Sequence, residues 1–233
     1  MSSATYIIEG NIGAGKSTFL RLLASALSAP IIFEPHAQWQ HPTQSENLLH
    51  LFYQDPKRWA YTFQTYAFVS RIVAMQQEEC SAGPVFSERS IYADRYCFAK
   101  LHFEAGNMTP LEWHLYQEWF SWLSALAAPI PQGFIYLRTE PTLCFERMRK
   151  RNRNEEKDVP LSYLEALHSQ HEQWLIHKEN IDSRIKDIPV LVLDANKEFE
   201  HDKAQLAACM EQVSSFVQQT HIPSTSSFLQ AGL

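Results

Sequence analysis

No apolar run in this chain approaches the roughly 18 residues that a membrane-spanning helix needs. That excludes a bundle of membrane helices, and no membrane partner is expected. Cysteine is scarce: Cys80, Cys97, Cys144 and Cys209 are scattered, with no Cys-x-x-Cys pair. A disulfide framework is therefore excluded, and reduced thiols in a cytosol-like, cytoplasmic setting are expected. Positive charge is not in excess either. With 20 Lys and Arg against 26 Asp and Glu, the formal charge is −6. Such a chain is no general coat for a nucleic-acid polymer, although a nucleotide-sized anion can bind a local basic cluster. Internal repeats and inter-domain linkers are absent. Only Met1 to Thr5 precede the first apolar run, so no signal or transit peptide is expected in this sequence.

What is present begins with size. Apolar residues make up 45% of 233, enough for a sizeable core. One domain over residues 1–220 is expected, with a flexible tail at 221–233 that opens on His221-Ile-Pro-Ser. Short apolar runs at Tyr6–Ile8, Pro30–Phe33, Pro84–Phe86, Phe134–Leu137 and Val190–Leu193 alternate with helical stretches. That alternation predicts an α/β fold, a parallel sheet covered by helices on both faces. Thr109-Pro110-Leu111-Glu112 carries a capping box, with Pro at the first helical position. Leu111, Leu115, Trp119, Trp122 and Leu126 then mark one face, which is expected to be buried. A second helix is expected from about Leu161 to His177.

Gly10-Asn11-Ile12-Gly13-Ala14-Gly15-Lys16-Ser17 fits the G-x-x-x-x-G-K-[ST] pattern of a phosphate-binding P-loop, with Thr18 next. The glycines let backbone N–H groups turn inward around phosphate oxygens. Lys16 adds a cation near the β- and γ-phosphates, and Ser17 offers a hydroxyl to Mg²⁺. The apolar run before the loop and the helix pattern after it place a helix N-terminus at the anion.

Two further segments follow strands. Glu34-Pro35 ends the second, and Ser87-Glu88-Arg89-Ser90 ends the third. Residues there face the ligand side of an open α/β sheet, so two carboxylates and a guanidinium are expected near the loop. Arg147, Arg149, Lys150, Arg151 and Arg153 form a basic run, with Arg147 and Arg151 on one helical face. Such a cluster can close over a triphosphate as a lid. The other reading, a solvated basic face, is weakened for a polyanion patch by Glu155-Glu156. His168 and His171 have the spacing of metal ligands but no evident third partner, so a surface or capping role is expected. Phe63, Tyr66 and Phe68 fit either a core or the walls of a base pocket.

Taken together, these segments resemble the deoxyribonucleoside kinases, and most closely the deoxycytidine/deoxyguanosine kinase branch. The similar stretches are Ile8 to Thr18, Arg58 to Tyr66, Glu88 to Tyr96, Arg153 to Glu156 and Pro160 to Glu165. The resemblance implies a P-loop three-layer sandwich with a five-stranded parallel sheet and an arginine-rich lid of Arg147, Arg151 and Arg153. It implies that Glu34 is the general base toward the 5′-hydroxyl, that Arg89 holds it, and that Lys16 acts on the donor. Ser17 and Glu88 would hold Mg²⁺. Tyr53 and Glu156 would grip the 3′-hydroxyl. Gln64 would read the base edge, with Trp39, Phe63 and Phe98 around it. Lys197, Glu198 and Phe199 would pack against the donor base. Arg71 and Asp94 mark the branch that takes amino-bearing bases rather than thymine, and Ala67 leaves room for the base. A homodimer is implied, with the Thr109 helix as a candidate face.

The function expected from these readings is transfer of the γ-phosphoryl group of ATP, or another NTP, to the 5′-hydroxyl of a deoxynucleoside. A nucleoside-monophosphate kinase is the alternative in the same chemistry, disfavoured because Glu34 would repel an acceptor phosphate. A non-catalytic nucleotide-binding module is the alternative outside it, and would need neither a base nor a second substrate pocket.

Overall fold

The computed structural model describes residues 4–77 and 83–220. Cys80 and the tail from residue 221 lie outside the described residues. The chain opens with β1 (Thr5–Glu9) and α1 (Lys16–Leu27). Then come β2 (Ile31–Ile32), α2 (His36–Gln40), α3 (Leu48–Gln54), α4 (Pro56–Gln77) and β3 (Val85–Glu88). A short α5 (Ile91–Ala93), a π-helical turn (Asp94–Ala99) and α6 (Lys100–Glu104) follow without a break, and then α7 (Pro110–Ala127). The second half holds β4 (Gly133–Arg138), α8 (Pro141–Arg151) and α9 (Leu161–His171), which continues as a second π-helical turn (Glu172–Ile176). It ends with α10 (Ser183–Lys186), β5 (Val190–Asp194) and α11 (Lys203–Thr220).

The five strands form one parallel sheet in the order β2-β3-β1-β4-β5. β1 is central and buried along its whole length. Its register sets Tyr6 beside Phe86 and Gly133, and Ile8 beside Glu88 and Ile135. After β1 the chain crosses toward β2 on one side, and after β3 it crosses to β4 on the other. Between such diverging connections, beyond the strand ends, an open α/β sheet leaves a crevice for ligands. All five sequence-predicted strands are present. β2 is shorter than Pro30–Phe33: Pro30 has no N–H to donate to a ladder, and the strand lies at the sheet edge.

Thr109 caps α7 as read from the sequence: its hydroxyl accepts from the Glu112 amide at 3.2 Å, and Glu112 reaches back to the Thr109 amide at 2.8 Å. The expected buried face of this helix is wrong. Leu111, Leu115, Trp119, Trp122 and Leu126 are 36–69% exposed, and Tyr116, Phe120 and Ser124 turn inward instead. The helix carries two apolar stripes, and the aromatic one wins because it meets aromatic partners. Phe120 lies against Phe68, Tyr92 and Tyr96 at centroid distances of 5.6–6.3 Å.

The histidines of α9 are a second correction. His171 is neither surface nor cap: it is fully buried, stacked on Tyr136, with Nδ1 bonded to the Leu167 carbonyl at 2.7 Å. Burial pushes its pKa well below the ordinary value, so it is neutral. His102 is buried as well, between Tyr163 and Asn107, and burial pushes it down to about 4 from 6.5. Below pH 6.5 the unfolded chain therefore binds a proton that the folded chain refuses. Stability from this group is full above that pH and falls as the pH drops toward 4, by about 1.4 kcal/mol per pH unit. The melting temperature of wild type is expected to fall more steeply than that of His102→Gln between about pH 6.5 and pH 5. Parallel curves for the two proteins would remove His102 from the account.

Candidate active site

The loop after β1 turns back onto the first turn of α1. Gly13 has φ +80, and a Cβ there would run into the Cys144 carbonyl. Gly15 caps α1 at φ +94, where a Cβ would lie 3.0 Å from the Phe199 ring. Only glycine tolerates both the backbone angle and the approach. The unpaired amides of the α1 N-terminus therefore face a wall built by α8 and the segment after β5, a place suited to an anion. Lys16 is buried and donates to the carbonyls of Gly10 (3.2 Å) and Asn11 (2.8 Å). Burial and the nearby Arg89 push its pKa down to about 8, against the pull of Glu34, Glu88 and Glu9. Ser17 Oγ donates to Glu88 Oε1 at 2.7 Å. A hydroxyl and a carboxylate are hard oxygen donors of the kind Mg²⁺ takes beside phosphate oxygens.

Glu34 sits just past β2 at the centre of a cationic cage. It accepts from Arg71, from Arg89 Nε at 3.1 Å and from His36 Nε2 at 2.9 Å. Burial alone would raise its pKa; Arg71, His36 and Arg89 outweigh it and hold the carboxyl well below the ordinary range. Arg71 bridges onward to Asp94 Oδ1 at 2.6 Å and lies over the Trp39 ring. Burial pushes the Asp94 carboxyl up to about 7 against the pull of Arg71. Arg89 takes a left-handed φ of +62, unusual for a side chain of that size. Its backbone is fixed on both sides. Its amide donates to the Ile8 carbonyl at 2.9 Å, and the next residue, Ser90, donates its amide and hydroxyl to Glu9 at 2.9 and 2.6 Å. Glu9 is fully buried at the end of β1 and reaches Arg89 Nη1 at 3.9 Å.

These groups line one concave pocket, an apolar wall with a few convergent polar groups of the kind small molecules occupy. Helix α4 supplies one wall. Phe63, Gln64, Ala67 and Arg71 fall at helical spacing on the same face, with Ala67 leaving room between the two polar ends. Gln64 is 1% exposed, and neither atom of its amide has a hydrogen-bond partner. Asp94 Oδ2 is likewise buried and unpartnered. Buried polar atoms are almost always paired, so these two side chains are complementary to something that enters the pocket. Trp39 and Phe63 close one side at 5.6 Å from each other, and Phe98, with Arg89 over its ring, faces them across it.

Every acceptor-side residue read from the sequence lines this pocket: Glu34, Trp39, Tyr53, Phe63, Gln64, Arg71, Arg89, Asp94, Phe98 and Glu156. Of the remaining aromatic cluster, Phe68 belongs to the main core and Tyr66 is half-buried outside the pocket. The basic run divides. Arg151 donates to both oxygens of Glu156 at 2.8 Å, and Arg153 lies 3.5 Å from Glu156; both line the pocket. Arg147 does not line it and instead donates to the Ala195 carbonyl at 2.9 Å. Phe199 packs edge-on against Phe19 at 5.5 Å, while Lys197 and Glu198 are exposed beside it. Sequence reasoning missed His36, Glu9, Leu49 and Phe52. Glu9 left a signal, since an acid ending an apolar central strand has to find buried partners.

A phosphate-suited helix N-terminus at one pocket, with a caged carboxylate in its lining, is the arrangement of a nucleotide-binding phosphotransferase. The description "Deoxynucleoside kinase" matches residues 6–218 of the chain. The chain is 43% identical to deoxycytidine kinase 2 of Gallus gallus, over 90% of this chain and 89% of that protein. It is 42% identical to the mitochondrial deoxyguanosine kinase of Xenopus laevis, over 90% and 88%, and 38% identical to the deoxycytidine kinase of Homo sapiens, over 90% and 89%. The chain belongs to the deoxynucleoside kinase family. It is an enzyme that transfers a phosphoryl group to a deoxynucleoside.

Proposed function

We propose that the chain phosphorylates the 5′-hydroxyl of deoxycytidine and the deoxypurines in preference to thymidine, using ATP or another NTP. The observation that carries this is the pair of orphaned buried groups, the Gln64 amide and Asp94 Oδ2. Cytosine and adenine each present an amine donor beside a ring-nitrogen acceptor. Gln64 Oε1 and Nε2 match that pattern, and Asp94 takes the second amine hydrogen. Thymine sets a carbonyl against Asp94, acceptor facing acceptor; guanine carries a carbonyl there too, but it adds a ring N–H and an amine, two donors on one edge, that a carboxylate can accept.

Glu34 accepts the hydrogen bond of the 5′-hydroxyl and takes its proton as the new O–P bond forms and the bond to the leaving diphosphate breaks. Its depressed pKa makes it a weak base and a strong anchor, which suits a loose transition state in which little proton transfer has occurred. Arg89 fixes its position. Tyr53 and Glu156 hold the sugar, and the loop from Gly10 to Thr18 with Lys16 holds the donor phosphates. Ser17 and Glu88 hold Mg²⁺, which neutralises phosphate charge when bound. Arg151 and Arg153, anchored on Glu156 beside the pocket, serve as the lid, with Arg147 held on the Ala195 carbonyl. The fold in this reading is the P-loop three-layer sandwich. The exposed Leu and Trp stripe of α7, with Val69 and Val73 of α4 exposed nearby, suits the face of a homodimer acting in the cytoplasm.

The test is ADP release from Mg·ATP with deoxycytidine, deoxyadenosine, deoxyguanosine, thymidine and dCMP in turn. Turnover is expected with the first three, little with thymidine and none with dCMP. Thymidine turning over as fast as deoxycytidine would overturn the base reading. Lys16→Ala is expected to lower turnover about 10²–10³-fold, as loss of one preorganised donor does, with nucleoside affinity by calorimetry hardly moved. Equal losses in rate and nucleoside affinity would contradict a donor-side role for Lys16.

A further inference from the structure

A second cavity, of ≈ 210 Å³, is lined from the two π-helical turns, from α6 and from the start of α7. None of its lining residues lines the nucleoside pocket. The turn Asp94–Ala99 nevertheless serves both: Asp94 and Phe98 face the first, Arg95 and Tyr96 the second. π-Helical segments are rare and gather at functional sites.

Arg95 is the telling group. Its guanidinium lies over the Trp113 ring, 4.4 Å from the centroid, and 5.5 Å from that of Tyr96. It is half-buried, and among the described residues it has no carboxylate or hydrogen-bond partner. The aromatic contact covers the flat face of the guanidinium and leaves the N–H donors in its plane. The other cation at the cavity is already matched. Lys100 donates to Gln173 at 3.0 Å and lies 3.7 Å from Glu104. Glu104 also takes the Gln170 amide at 2.8 Å. Gln170 is 5% exposed, and its Oε1 is buried without a partner. Aromatic edges border it: Trp113 is stacked on Phe103 at 4.9 Å and on Tyr116 at 5.9 Å, and Trp174 on Tyr96 at 5.8 Å, so these rings cover one another's faces. Glu179 also lines the cavity but is exposed, where water screens it.

We propose that this cavity binds a small aromatic anion, a single ring bearing a carboxylate or a phosphate. The anion forks onto the free edge of Arg95, the ring rests against the aromatic edges, and a donor on the ring reaches Gln170 Oε1. Arginine is suited to this because its planar donors match either anion in two bonds.

Calorimetric titration of the full chain with 4-hydroxybenzoate, benzoate and phenyl phosphate tests it, the last arm separating phosphate from carboxylate. Saturable one-site binding is expected for 4-hydroxybenzoate or phenyl phosphate. Arg95→Met should weaken it about tenfold or more, and Arg95→Lys, which keeps the charge but loses the fork, by less. Gln170→Leu should reduce 4-hydroxybenzoate to the affinity of benzoate and leave benzoate unchanged. No saturable binding to wild type, or equal affinity in wild type and Arg95→Met, overturns the site. If Arg95→Met fails to fold, Arg95→Lys and Gln170→Leu decide by the same comparisons. Because Asp94 precedes Arg95, saturating probe is also expected to change the KM for deoxycytidine by about twofold or more. An unchanged KM overturns that coupling. This second readout rests on the proposed function, whereas the binding readout does not.

Discussion

Glu34→Gln is expected to lower turnover by about 10²–10⁴-fold, the range of a positioned acid–base group, while deoxynucleoside still binds. The substitution keeps the shape and removes the charge. Three groups now converge on that charge: Arg71, Arg89 at 3.1 Å and His36 at 2.9 Å. With the amide in place they face no anion, and an N–H₂ points toward them. The hydroxyl of the acceptor then loses both the group that aligns it and the group that takes its proton. Gln64, proposed to read the base, and Tyr53 and Glu156, proposed to hold the sugar, line the same pocket and keep their side chains in this variant. Single-turnover rates beside calorimetric nucleoside binding separate the two. Turnover within about threefold of wild type would show that Glu34 is not the base. A thermal melt run alongside checks that relaxation of the arginine cage has not unfolded the protein.

Much of the fold is legible in the sequence, and the reason is local. The strands, the glycine loop and the Thr109 cap are written in adjacent residues whose period or turn chemistry admits few alternatives. Gln64 and Arg71 were legible only through the family resemblance; in the fold they interrupt a buried helical face with Ala60, Phe63, Ala67 and Phe68 on it. The rest depended on neighbours distant in sequence. α7 carries two apolar stripes of similar strength, and only the aromatic surface of Phe68 and Tyr92 decides which one turns inward. His171 looked like a surface group because nothing in α9 announces that Tyr136 will lie flat against it. His36 follows Glu34-Pro35 with no periodic signal, and its part in the cage appears only when the loop folds back on the carboxylate. Arg147 and Arg151 do share a helical face, yet they part company because Ala195 and Glu156 lie at opposite ends of that turn's reach.

The second large effect is expected at the base edge. Asp94→Ala alone should mainly damage the enzyme, because it leaves Arg71 buried with one partner fewer. Stranding half of a buried pair often costs about 3–5 kcal/mol. Arg71→Met with Asp94→Ala removes both charges together. It also removes one of the three anchors of Glu34, so absolute rates should fall for every substrate; Arg89 and His36 remain to hold the carboxylate. The informative quantity is therefore the ratio of kcat/KM for thymidine to that for deoxycytidine. Without the Asp94 carboxylate no acceptor opposes the thymine carbonyl, while cytosine loses the partner of its second amine hydrogen. Gln64 can turn its amide end for end and serve either base, so it does not offset the change. A difference of about 1.4 kcal/mol already moves the ratio tenfold toward thymidine. Wild type offers a companion measurement. Asp94 is pushed up to about 7, so its protonated fraction grows as the pH falls through that value. A protonated carboxyl donates where the carboxylate accepted, and thymine discrimination should weaken on the acid side. Competition assays on the folded double variant decide the assignment: a thymidine-to-deoxycytidine ratio equal to that of wild type would mean that Arg71 and Asp94 do not choose the base.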